Sequence, residues 1–169
     1  EAIGPGAGTG LRIKQAALVA VGVALLTLAA QVKVAVPPSP VAVNLGTLAV
    51  LGIGAAYGPR LGLATIVAYM GIGALGFDVF QSSTAELRGI EYMMGTTGGY
   101  LLGYVLAVVA MGWLARRGWD RSVLWMALAM LIGNVILYVP GLAWLGHLIA
   151  AGLFQPEAYA SVWAQTLAW

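Results

Sequence analysis

Five apolar runs of 17 or 18 residues follow one another along this chain, separated by short connections and one longer polar stretch. They cover about 16–32, 41–57, 61–77, 98–115 and 122–139. A helix needs about 17 to 25 apolar residues to cross bilayer hydrocarbon, so each run is near the short end of that range. Strands are disfavoured, because the runs lack two-residue alternation and lipid tolerates no open sheet edge. Composition agrees: 61% of the 169 residues are hydrophobic and 8% are charged. A soluble domain carries about 25% charged residues. The expected fold is all-α, a polytopic membrane helix bundle forming a single integral membrane domain over residues 1–169.

The connections set the path. Pro37-Pro38-Ser39-Pro40 stops the first run, which is read as a retained span rather than a signal peptide. Gly58-Pro59-Arg60 is too short for anything but an antiparallel hairpin. The longest polar stretch is 78–91, with Asp78, Glu86, Arg88 and Glu91, and 116–121 is a charged turn. The fifth span is expected to end at Pro140-Gly141, before a short apolar segment, 142–154. A sixth span starts near 159 and only its beginning is present.

Alternating spans place Arg12, Lys14, Arg60, Arg116, Arg117 and Arg121 on one side. The other side holds Lys33 and Arg88 with Asp78, Glu86, Glu91 and Glu157. The positive-inside rule then puts the N-terminus in the cytoplasm of a multi-pass cell-membrane protein. Trp113, Trp119 and Trp125 near the inner face, and Tyr138 and Trp144 near the outer, suit interfacial belts.

Several chemistries are excluded. Without cysteine there is no disulfide or thiolate site, and one histidine, His147, makes no multi-histidine metal centre. No nucleophile–base pair, paired carboxylate or phosphate loop is visible, so the chain is not read as an enzyme and no metal site is expected. A net charge of +2 does not suggest nucleic acid. No ionisable residue lies mid-span, which argues against a proton relay or voltage sensor.

The polar residues that remain are pointers to function. Asn44, Thr47, Thr97, Tyr100, Asn134 and Tyr138 all lie in the outer half of their spans. Asn134 is expected to bond between helices. Gly98-Gly99 opens the fourth span, where unpaired helix N–H groups are expected to be available to a ligand carbonyl. Tyr100 adds a ring face and a hydroxyl. Small residues at four-residue spacing, Ala16-Ala20-Ala24, Gly54-Gly58-Gly62 and Gly95-Gly99-Gly103, permit close helix contact.

Gly95-Thr96-Thr97-Gly98-Gly99-Tyr100-Leu101-Leu102-Gly103-Tyr104 resembles the Gly-Pro-Thr-Gly-Gly-Tyr-Leu signature of the BioY family, the biotin-binding S components of energy-coupling factor (ECF) transporters. Thr47-Leu48-Ala49-Val50-Leu51 with Gly58-Pro59-Arg60 resembles that family's second span and inner turn, and Gly76 with Val79-Phe80 the end of its third. Gly133-Asn134 through Tyr138 to Trp144-Leu145 resembles its fifth span and outer loop. The resemblance implies a six-helix S-component bundle whose last helix is largely absent from this sequence. It implies high-affinity capture of biotin from outside, with ATPase subunits and a transmembrane T component as partners. Biotin is then substrate, the chain has no cofactor of its own, and ATP is used by the partner subunits only. The substrate-binding set becomes Asn44, Thr47, Thr97, Gly98, Gly99, Tyr100, Tyr138 and Trp144, and Ala16, Ala20 and Ala24 face the T component.

This chain departs from the family pattern at Asn44-Leu45-Gly46-Thr47, where Thr-Leu-Gln-Thr is usual, and at Asp78 and Thr96, where the family has proline. It also stops before the family's carboxylate-binding Asp and Lys, which suggests an incomplete sequence. An S component for another small vitamin and a non-catalytic assembly subunit remain the alternative readings.

The absence of cysteine makes the orientation testable. Cysteine at Ser82 is expected to react with an impermeant thiol reagent applied outside, and cysteine at Ser122 is not. The opposite labelling pattern would invert the topology.

Overall fold

A computed structural model describes residues 8–34, 43–80 and 88–153. The sixth apolar run, the proline cluster at 37–40, Ser82, Glu86 and Glu157 lie outside them. The elements in order are α1 (Thr9–Gln31), β1 (Lys33–Val34), β2 (Val43–Asn44), α2 (Gly46–Ala74), α3 (Gly89–Met94), α4 (Gly98–Arg116), a 3-10 turn η1 (Trp119–Arg121) and α5 (Val123–Ala150). α1, α2, α4 and α5 are long and apolar enough to cross a membrane.

α2 is two arms rather than one rod. Gly58 sits at φ 75°, ψ 175°, and Pro59 follows it. That positive φ suits a residue without Cβ, and proline presets φ for the first turn of the returning arm. The reversal is complete: a Cβ built on Gly62 would lie 3.6 Å from the Gly54 Cα. The hairpin expected at Gly58-Pro59-Arg60 is therefore present, and five long helical segments, counting the two arms of α2 separately, make up the bundle among the described residues.

α4 is the central helix. Its Gly98 end meets the start of α2, where a Cβ on Gly46 would lie 3.0 Å from the Tyr104 Oη. Farther along, Gly54 approaches Val108 and Met111, and Gly112 approaches the backbone of Gly58 and Pro59. The first arm of α2 thus runs parallel to α4, and the second arm returns antiparallel to it. On the other side, Gly99 faces the Pro140 carbonyl and Gly103 faces the Leu137 carbonyl, so α5 runs antiparallel to α4. α1 lies against the α2 hairpin, where a Cβ on Gly22 would meet Thr65 and Tyr57. The core is built from Leu26, Val50, Leu51, Ile66, Tyr69, Ala107, Val108, Met111 and Leu137. Buried Thr65 satisfies its hydroxyl within its own helix by donating to the Leu61 carbonyl at 2.9 Å.

Several boundaries differ from the sequence expectation. α1 begins at Thr9 rather than Ala16 and carries Arg12 and Lys14 within it. Long basic side chains reach water while their helix continues, so a charge does not end a helix at a membrane edge. Residues 43–44 are extended and pair antiparallel with 33–34, although strands were disfavoured for the spans. Helix α2 therefore starts at Gly46 rather than near Val41. The polar 78–91 stretch ends in a short helix, α3. α5 runs through Pro140 to Ala150 instead of ending at Val139. Proline removes one backbone donor but neighbouring helices tolerate it in a membrane span, and Gly99 of α4 packs beside it. Asn134 donates its amide to the Met130 carbonyl of its own helix at 2.9 Å, and the interhelical bond expected of it is not formed among the described residues.

The tight fit of α4 on α5 gives a stability test. A methyl on Gly103 would strike the Leu137 backbone, whereas one on Gly52 would meet nothing within 4 Å. Gly103→Ala is expected to cost about 1–3 kcal/mol by overpacking, and Gly52→Ala to be neutral or mildly stabilising. Thermal unfolding in detergent of the two variants beside the parent decides it; equal midpoints would show that α4 and α5 are not in close contact.

Candidate functional site

The end of the bundle at which α4 begins collects the polar and aromatic residues. There the β1–β2 pair sets Lys33 opposite Asn44, and the Leu45 N–H donates to the Val32 carbonyl at 3.1 Å. Asn44 then organises the start of α2. Its side-chain oxygen accepts the Gly46 N–H at 2.7 Å, an Asx turn, and its backbone carbonyl accepts the Thr47 hydroxyl at 3.1 Å. The Asn44 side chain also shares a hydrogen bond with the Tyr104 hydroxyl on α4. Asn44 and Thr47 are thus committed to shaping this corner and tying it to α4.

The turn from α3 into α4 is held from the side by α5. Trp144 donates its indole N–H to the Gly95 carbonyl at 2.9 Å. Thr97 donates to the Tyr92 carbonyl at 3.4 Å, a long bond. Gly98 lies beside Met93 and the Trp144 indole, and Gly99 is buried against Pro140, Gly141 and Trp144. The N–H groups of Gly98, Tyr100 and Leu101 bond to the carbonyls of Gly95 and Thr97. The preceding turn therefore spends three of the first N–H groups of α4, while the Gly99 N–H has no backbone acceptor among the described residues.

Tyr100 and Tyr138 behave differently. Their rings meet edge to face, centroids 5.8 Å apart with an interplanar angle of 88°. The Tyr100 ring packs on Gly141, where a Cβ would lie 2.5 Å from its Cδ1. Both side chains are half-buried. Neither hydroxyl has a hydrogen-bond partner among the described residues. Two phenols, held rigid by aromatic packing and with their donors and acceptors unspent, can present both apolar surface and hydrogen bonds to a small molecule.

A group of aromatic residues beneath this corner was not singled out from the sequence as part of the site. Phe80 stacks on Tyr92 with centroids 4.9 Å apart and 9° between planes, and meets Tyr69 edge-on at 5.3 Å. Tyr69 donates its hydroxyl to the Val79 carbonyl at 2.9 Å, and the Gln31 amide reaches the Phe80 carbonyl at 3.5 Å. Tyr104, four residues after Tyr100, was the detectable one, because i and i+4 share a helix face. His147 lies 6.1 Å from Trp144, ring to ring, at the exposed rim.

Ala16, Ala20 and Ala24 are not part of this corner. All three are exposed on α1, whose buried face is Gly22, Val23, Leu26 and Ala30.

Tyr104→Phe removes a buried hydroxyl together with its hydrogen bond to the Asn44 side chain. A loss of about 1–3 kcal/mol in unfolding stability is expected. Tyr100→Phe, whose hydroxyl is free, is expected to unfold as the parent does. Detergent melts of both variants make the comparison, and the reverse order would refute the assignment of committed and free phenols.

Comparison with known proteins bears on this arrangement. The family model for "BioY family" matches residues 6–168. A relative from Pyrococcus horikoshii named "Probable biotin transporter BioY" is 33% identical over 139 residues, covering 82% of this chain and 78% of its own. The "Biotin transporter BioY" of Thermotoga maritima is 29% identical over 108 residues, covering 64% of this chain and 61% of its own. Among solved structures, the S-component for biotin from an ECF-type ABC transporter superposes with a TM-score of 0.73 over 91% of this chain and 87% of that one, at 18% identity, a likeness of fold. With nearly its whole length matched, and the Gly95–Tyr104 segment seated against α5 at one end of an S-component fold, the chain belongs to the BioY family.

Proposed function

We propose that this chain captures biotin at the end of the bundle where α4 begins, as the S component of an ECF transporter. The observation that carries the reading is the half-buried Tyr100–Tyr138 pair with its free hydroxyls, beside Trp144 and the Gly98-Gly99 turn. Biotin offers a ureido ring with paired donors and an acceptor, fused to an apolar thioether ring. A mostly apolar site with a few placed polar groups suits such a ligand. The names of the family relatives favour biotin over another small vitamin.

In this reading Tyr100 and Tyr138 contact the ligand, Trp144 and Thr97 shape the turn that holds Gly98 and Gly99, and Asn44 and Thr47 close the corner from α2. Delivery inward depends on a transmembrane T component and ATPase subunits, and ATP is consumed there. The exposed Ala16, Ala20 and Ala24 offer a flat surface on α1 on which the T component's helices can lie closely. The N-terminus is cytoplasmic and the tyrosine end faces outward, in keeping with the basic residues at the opposite end.

Calorimetric titration of the purified protein with biotin tests the reading. Tyr100→Ala is expected to weaken binding by about 1–3 kcal/mol, the scale of one buried contact or one unpaired polar group. Tyr100→Phe is expected to keep most of the affinity. Ala20→Leu is expected to bind biotin as the parent does and to lose copurification with the T component. No binding by the parent protein would end the biotin reading, and full complex yield with Ala20→Leu would end the role of the alanines.

A further inference from the structure

The opposite end of the bundle carries a separate concentration of charge. α4 leaves through Arg116 and Arg117, the chain turns at Gly118 with φ 84°, and η1 ends at Arg121. The Arg117 Cζ lies over the Trp113 ring, 3.4 Å from its centroid. Arg116 lies along the α2 turn, its Nε 3.6 Å from where a Gly58 Cβ would be. Arg121 bends back over Gly118, with its Cδ 3.8 Å from a Cβ there. Arg60 projects from the same α2 turn. Trp119 and Trp125 pair beside them with ring centroids 4.8 Å apart.

All four arginines are exposed, and none has an ion-pair or hydrogen-bond partner among the described residues. The turn's own acidic residue is Asp120. With its Cζ over Trp113 and its N–H groups without a partner among the described residues, Arg117 can offer a guanidinium edge for bidentate contact with a phosphate.

A second observation decides what kind of phosphate. Leu102, Leu106, Val109 and Trp113 are all exposed, at 54%, 48%, 38% and 50%. Their spacing places them in one line along α4, and Arg117 is the next member of that line. An apolar track therefore leads from mid-helix to the guanidinium. A soluble anion makes no use of such a track, whereas a lipid with an acidic headgroup does.

We propose that the α4–η1 turn is a binding site for one anionic phospholipid, its phosphate between Arg117 and Arg121 and an acyl chain along the Leu102–Trp113 line. Arg116 and Arg60 add to the attraction from the rim. The site is separate from the tyrosine corner and does not depend on what that corner binds.

The test uses the purified protein in dodecyl maltoside, titrated with dioleoyl phosphatidylglycerol, dioleoyl phosphatidylcholine or inorganic phosphate, with bound molecules read by native mass spectrometry. Phosphatidylglycerol is expected to bind more than about ten-fold tighter than phosphatidylcholine. Arg117→Gln and Arg121→Gln are each expected to reduce that preference about five-fold, the factor that matches about 1 kcal/mol per basic residue at an anionic surface. Arg88→Gln, at the other end of the bundle, is expected to leave it unchanged. Should Arg117→Gln fail to fold, Arg121→Gln carries the same comparison. Equal binding of the two lipids, a preference that survives both substitutions, or displacement of phosphatidylglycerol by an equal concentration of inorganic phosphate would each overturn the proposal.

Discussion

Along α4, Gly99 and Gly103 bring the helix axis up against the backbone of α5, while Gly112 does the same against the turn of α2. Inside lipid there is no hydrophobic gain from bringing two apolar helices together, because the tails are as apolar as leucine. Cohesion comes from dispersion between close surfaces and from the few polar bonds that cross between helices. Both weaken steeply with distance, so the glycine contacts of α4 govern the rest of the bundle. They bring Tyr104 to the corner where Asn44 waits, Tyr100 onto Gly141, and the Gly95 carbonyl to the Trp144 indole.

The two ends of the bundle use aromatic residues in opposite ways. At the end where α4 begins, rings pack against each other and against glycines, and several hydroxyls are spent on backbone carbonyls or on Asn44. That leaves a rigid corner in which the Tyr100 and Tyr138 phenols remain open. At the other end, indoles sit among exposed guanidiniums whose N–H edges have no partner among the described residues. A closed, apolar corner with few open polar groups suits a small molecule, while an open, charged rim suits a membrane surface.

Much of the helical plan was legible in the residues. The apolar runs locate the passes, Gly58-Pro59 locates the hairpin, and Gly98 is both the expected and the observed start of α4. The ends of α1 and α5 were less legible, because the usual stop signals lose force at a membrane. Arg12 and Lys14 extend outward without breaking α1, and neighbouring packing carries α5 through Pro140. The candidate site was legible as a set of residues but not as a set of roles. Asn44, Thr47 and Thr97 look like ligand groups in the sequence because hydroxyls and amides in a span are costly unless used. The structure spends them on bonds within the fold, whereas the Tyr100 and Tyr138 hydroxyls have no partner among the described residues.

By itself the sequence determined that the chain is a membrane bundle, roughly where each pass lies, and to which family its Gly95–Tyr104 signature points. These follow from hydropathy, turn chemistry and short-range spacing, all of which act within a few residues. Only the tertiary structure decided which polar groups are spent and which are free. The Trp144 indole and the Gly95 carbonyl that it caps are 49 residues apart in the chain, and the Asn44 side chain finds Tyr104 across two helices. Hydrogen bonds depend on distances of tenths of an ångström, and here those distances are set by how closely glycine lets the helices approach.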